Sequence, residues 1–133
     1  MNSESASENP EDGSAEDGIE RRRYERFDTS ISVDYSSGET FLFSYIQNIS
    51  EMGIFIRSDS PLPVGTRLEL RFTPEGQTAL ELEGEVTWIN PYRPFGDNLN
   101  PGMGVRFRGL KPELRERIVD LVRTVAYLRG EGN

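Results

Sequence analysis

The chain has 133 residues, enough for one domain with a modest core. It contains no cysteine and no histidine, which excludes disulfides, thiolate metal sites, a cysteine nucleophile and imidazole proton shuttles. Acidic residues outnumber basic ones 23 to 15, and no apolar run approaches the ~20 residues of a membrane helix. The expectation is a cytoplasmic protein with no membrane insertion.

Residues 1–18 carry six acids, no basic residue and no aromatic or branched aliphatic side chain. Such a segment cannot bury enough surface to offset its chain entropy, so it reads as a disordered acidic tail. Without it, 17 acids face 15 bases, and residues 19–130 form a nearly neutral domain. The junction Ile19–Phe27 then places Arg21, Arg22, Arg23 and Arg26 close together. Of the 15 basic residues 14 are arginine, a bias toward planar, bidentate recognition.

From Phe27 onward the polarity alternates with the period of a strand. Ile31, Val33 and Tyr35 mark one face of the first strand. In Phe41–Ile49, Phe41, Phe43 and Tyr45 oppose Leu42 and Ile46, which predicts a strand buried on both faces. Ile54 and Ile56 alternate with Phe55 and Arg57. Leu68, Leu70 and Phe72 alternate with Arg67, Glu69 and Arg71. Leu80, Leu82, Gly84, Val86 and Trp88 form a longer series, which assigns Trp88 to the core. Met103, Val105 and Phe107 make the last series. Turn signals (SSGE, SEMG, SPLPVG, TPEGQ and PYRPFGDNLNPG) separate the strands. The period then changes: Leu114, Ile118, Leu121, Val122, Val125 and Leu128 recur at helical spacing over 111–129, with Pro112 in the first turn and Gly130 as the stop. Six short strands without intervening helices predict an all-β, antiparallel, split-barrel-like barrel, followed by one helix packed on it or on a partner.

Two motifs carry chemistry. Arg22 to Arg26 has RxxxR spacing just before the first strand, and Asn48 to Gly53 reads NxSxxG in a turn between two strands. In this order, ahead of a barrel pattern and a late GxGVRF-type strand (Gly102 to Phe107), they resemble the PilZ domain, a receptor module for cyclic di-GMP. The resemblance spans about Glu20 to Leu128. It implies that Arg22 and Arg26 reach guanine bases and phosphates, while Asn48, Ser50 and Gly53 receive a guanine on the barrel face.

Those residue types suit that ligand. An arginine donates two parallel bonds to guanine O6 and N7 or to phosphate oxygens, and its plane stacks on a base. A side-chain oxygen at Asn48 accepts from the guanine N1–H and N2–H groups. Asp is common at this position, and Asn lacks the charge that raises such a bond from ~1 to ~2 kcal/mol, so weaker binding is expected. Ser50 either bonds a phosphate or braces the turn, and Gly53 permits positive φ and close backbone approach. Arg21, Arg23, Arg57 and Trp88 rank below these as further contacts.

Bland readings stand beside these. The arginines also fit a solvated linker, and Asn, Ser and Gly dominate turns in any case. Trp88 fits the core, Arg57 an exposed strand position, and Gly102 and Gly104 strand geometry. Glu81, Glu83 and Glu85 read as a solvated face, so no metal is assigned, and no cofactor beyond the nucleotide ligand. No nucleophile with its base is evident, so the chain is not expected to be an enzyme. The near-neutral body argues against DNA or RNA binding. The alternative within the same resemblance is a protein-interaction adaptor acting without nucleotide. Either role needs an effector protein that the sequence does not name, with the chain a monomer or dimer.

Overall fold

A computed structural model describes residues 25–95 and 100–131. The acidic tail and Arg21, Arg22 and Arg23 lie outside the described residues. Among the described residues, six strands precede one helix: β1 (Phe27–Ser37), β2 (Thr40–Ile49), β3 (Gly53–Arg57), β4 (Arg67–Phe72), β5 (Leu80–Asn90), β6 (Gly102–Arg108) and α1 (Pro112–Glu131). All pairings are antiparallel. The order β1-β2-β3-β6-β5-β4 closes on itself because β1 pairs with both β2 and β4. Closure leaves the central barrel without the unpaired edge an open sheet would present.

Alternation selects the faces. In β4, Leu68, Leu70 and Phe72 are buried while Arg67, Glu69 and Arg71 are not, and Leu80, Leu82 and Val86 of β5 turn into the same core. Tyr35 is also inside; burial pushes its phenol above the ordinary value, against a smaller opposing effect from its hydrogen bond with Ser58. The β1–β2 connection is a two-residue turn, with Ser37 facing Thr40 and Gly38 at φ +62°. That backbone matches the primed turns whose twist suits a hairpin.

The helix covers part of the barrel. Ile118, Leu121, Val122 and Val125 join the core, with Phe27 and Ile31 of β1 packed against it. Arg117 donates to the carbonyls of Thr78 at 2.6 Å and Ala79 at 3.2 Å, tying α1 to the β4–β5 connection. The apolar stripe ends sooner than the sequence predicts, since Leu128 is exposed. The helix also passes Gly130 and runs to Glu131. None of the described helical structure is long and apolar enough to cross a membrane.

One expectation is overturned. Phe41 and Phe43 are 80% and 60% exposed, and Tyr45 is half exposed, so the first half of β2 is not buried on both faces. These three side chains point out of the barrel, where only a second layer could bury them. β3 has five residues, and its ladder with β2 reaches only from Ile46 to Ile49. The remainder of β2 runs on beside β1, and none of the described residues forms a layer over its outer face.

Candidate functional site

Arg26 stands one residue before β1, and the pairing of Phe27 with Ile49 brings it beside the corner that follows β2. Its Nε donates to Asn48 Oδ1 at 2.8 Å, and its Nη1 donates to the Ser50 hydroxyl at 3.4 Å. The two sequence motifs, 22 to 24 residues apart, therefore touch.

Asn48 reaches this place through an irregularity. Ile46 and Ile49 are both fully buried although they stand three positions apart, an odd spacing, so alternation breaks between them. The β2–β3 register slips between Ile46 and Asn48, and Asn48 then aligns with Phe55 on the outer face. Unbroken alternation would send Asn48 inward with Ile46 and bury its amide among aliphatic side chains. A second slip, between Val86 and Trp88 of β5, aligns Trp88 with Gly104 on that same outer face. Trp88 is therefore not a core residue. It is 36% exposed and stacks on Phe55 with ring centroids 5.4 Å apart and planes 28° from parallel. Phe55 is covered by this stack and is only 3% exposed.

The glycines of β6 make room for those rings. A Cβ on Gly104 would sit 2.0 Å from Trp88 Nε1, and one on Gly102 would sit 2.6 Å from Phe55 Cζ. Gly53 plays a similar part against backbone: a Cβ there would lie 2.2 Å from the Val105 carbonyl oxygen. Its φ is not among the positive values found at Gly38, Gly65, Gly76 and Gly109, so the expected left-handed backbone is replaced by a close strand approach.

Ser50 is 1% exposed and braces the turn. Its hydroxyl accepts from Met52 N–H at 3.1 Å, and its own N–H donates to the Gly53 carbonyl at 2.9 Å. Of its two expected uses, the structure displays the brace. Phe107 N–H fastens the same turn to β6 by donating to the Met52 carbonyl at 2.9 Å.

Arg57 shares the outer face but not the corner. It lies at the far end of β3 from Gly53, about 13 Å along the strand. Its Nη1 donates to Asp59 Oδ1 at 2.8 Å and to the Pro101 carbonyl at 3.1 Å, which commits it elsewhere.

Arg26, Gly53, Thr87, Trp88, Gly104 and Arg106 border a cleft of about 20 Å³, room for about one water. A dinucleotide-sized ligand has to lie across this face rather than sink into it. Two contributors were not singled out from the sequence. Phe55 and Arg106 reach the cleft region because β3 pairs with β6, setting Phe55 opposite Gly104 and Gly53 opposite Arg106. That pairing joins segments about fifty residues apart, and no local pattern announces it. Among the described residues no group of acidic side chains is arranged to hold a metal ion.

A model of the PilZ domain matches residues 20–124, a span that contains both motifs and all six strands. The chain belongs to the PilZ domain family. Among solved structures, the Bacillus subtilis inhibitor of motility (MotI/DgrA) superposes with a TM-score of 0.63 at 22% identity, over 78% of this chain and 50% of that one. The PilZ domain of Escherichia coli YcgR with c-di-GMP superposes with a TM-score of 0.67 at 15% identity, over 84% of this chain and 96% of that one. YcgR in complex with c-di-GMP gives the same score and identity, with 49% of its chain covered. The chain thus spans about half the length of MotI and of the longer YcgR chain, and these likenesses establish the PilZ barrel. No curated protein matches the sequence significantly.

Proposed function

We propose that this PilZ chain is a non-enzymatic receptor for cyclic di-GMP, the ligand carried by YcgR in its solved complexes. The observation that carries the reading is the Arg26–Asn48 hydrogen bond of 2.8 Å, which joins the two motifs at the border of the outer cleft. Ligand arrival exchanges that bond for others. Arg26 turns from Asn48 and Ser50 to a guanine edge or a phosphate, and Asn48 Oδ1 becomes free to accept from guanine N1–H and N2–H. Arg22, four residues earlier, supplies a second guanidinium. Arg21 and Arg23 add phosphate contacts, and the Trp88 ring offers a flat neighbour for a base.

The output follows from differential contact. A ligand that holds Arg22 and Arg26 against the Asn48–Gly53 corner favours one placement of the residues before β1, and only such a difference can shift a population. The altered surface is then read by an effector protein in the cytoplasm. Motility is the output we assign, after the inhibitor of motility with which the fold superposes.

Calorimetric titration of the full chain with cyclic di-GMP tests the reading. Binding at micromolar or tighter affinity is expected, lost in Arg22→Ala and in Arg26→Ala while the unfolding transition of both variants persists. The adenine analogue should bind far more weakly, because an amino donor replaces the O6 acceptor that arginine needs. Absence of heat and of amide shifts at saturating ligand, or equal affinity in both variants, overturns it.

A further inference from the structure

A depression much larger than the outer cleft lies elsewhere on the described barrel. It is a groove of about 730 Å³ across β2, β1, β4 and β5, on the side of the barrel where β2 extends past β3. The pairing registers write out its walls. One row of outward side chains runs Phe43, Asp34, Arg71, Glu81, and the next runs Phe41, Ser36, Glu69, Glu83. One wall is thus a pair of exposed phenylalanines and the other a pair of glutamates, three strand spacings or about 14 Å apart.

Among the described residues, the two phenylalanines take no part in the core. Phe41 is 80% and Phe43 60% exposed, and Phe43 meets Tyr45 edge to face at 5.6 Å, which extends the apolar wall. The charges are unbalanced. Arg71 is the one basic residue in the two rows, and its Nε already donates to Glu81 Oε2 at 3.0 Å. Asp34, Glu69 and Glu83 make no ion pair among the described residues, although Asp34 lies opposite Arg71 and Glu83 opposite Arg108. A wall of aromatic faces opposite a wall of carboxylates matches one kind of occupant: a segment that carries apolar side chains along one edge and arginine or lysine along the other. Its cations can pair with the carboxylates, and their stems or guanidinium planes can lie on the Phe faces. The width admits one α-helix, about 10–12 Å across with its side chains.

We infer that this groove is a docking site for a basic amphipathic segment of a partner protein, independent of the Arg26–Asn48 face. An acidic segment is repelled, and a second copy of the barrel offers the same acidic wall.

The test immobilises the full chain and selects from a random peptide library. A selected peptide is then titrated into isotopically labelled protein. Enrichment of peptides combining Arg or Lys with Leu, Phe or Trp is expected, with amide shifts confined to residues 34–36, 41–43, 69–71 and 81–83. The charge-reversed pair Glu81→Lys and Glu83→Lys should weaken binding about tenfold, and more so at low salt. Phe43→Ser, at an exposed position where folding is not at stake, should weaken it by a similar factor. Acidic or uncharged selected peptides, shifts outside the groove, or no enrichment overturn the inference. So do a dimer by sedimentation that Phe43→Ser dissolves, and contacts from Arg21–Arg23 of the same chain in the groove; these name the other occupants.

Discussion

Replacing Gly53 by alanine sets one methyl group against the backbone of the neighbouring strand. The added Cβ lies 2.2 Å from the Val105 carbonyl oxygen, and real Cβ contacts are not found under 3.0 Å. The strands must therefore part by about 0.8 Å even to reach that limit. A parting of that size stretches the 2.9 Å bond from Phe107 N–H to the Met52 carbonyl beyond hydrogen-bonding range. Losing this bond and one rung at the Gly53–Arg106 pair costs about 1 kcal/mol each, and a buried group left unpaired adds about 1–2 kcal/mol. The expected destabilisation is thus about 3–4 kcal/mol, against a total of roughly 5–15 kcal/mol for a domain of this kind. Urea unfolding followed by the fluorescence of Trp88, the single tryptophan, measures it directly. Gly38 provides the contrast. It has φ +62° and open space around its Cβ position, so Gly38→Ala should cost about 1–2 kcal/mol and Gly38→Asn less. Gly53→Asn should be as damaging as Gly53→Ala, because no side chain removes the clash. A loss under about 0.5 kcal/mol for Gly53→Ala, or rescue by Asn at that position, refutes the close-approach argument.

Gly104→Ala pushes the Trp88 indole from its seat, so a loss of about 1–3 kcal/mol with a changed Trp emission maximum is expected; an unchanged emission spectrum counts against the Phe55–Trp88 stack. Asn48→Asp turns the contact with Arg26 into a charge-assisted one in a half-buried place and should add at most about 1 kcal/mol at neutral pH. That gain is present above the unfolded carboxylate value and disappears as pH falls through the lower folded value, which unfolding curves from neutral pH to below pH ~4 would display. For Tyr35 the sign reverses: its raised folded pKa means the neutral phenol is favoured by folding, so its contribution holds below the unfolded value near ~10 and is lost as pH rises through the folded value. Phenolate absorbance should show one tyrosine titrating last, and Tyr35→Phe should remove that late step.

The regular part of the fold was legible because alternation has a period of two and each strand core obeys it. Leu68, Leu70 and Phe72 face inward as the pattern requires, and the change to helical spacing after Lys111 marks α1. The failures sit where the period slips. Trp88 continues the series from Leu80 to Val86 on paper, yet the register break after Val86 turns it to the outside. Phe41, Phe43 and Tyr45 look like core residues by composition alone. They are exposed because they point out of the barrel, where none of the described residues packs over them, a fact no window around residue 43 contains.

The same division holds for the candidate face. The RxxxR and NxSxxG spacings and the barrel pattern are properties of the chain as written, and they pointed to the family that the domain model matches. Tertiary structure decided which atoms meet: that Arg26 rests on Asn48 and Ser50, that Arg57 is committed to Asp59 and Pro101, and that Phe55 lies beneath Trp88. The physical reason is the range of the interactions. Side-chain chemistry and alternation are local, whereas bulges, strand lengths and the β3–β6 pairing are settled only when distant segments compete to bury the same surface.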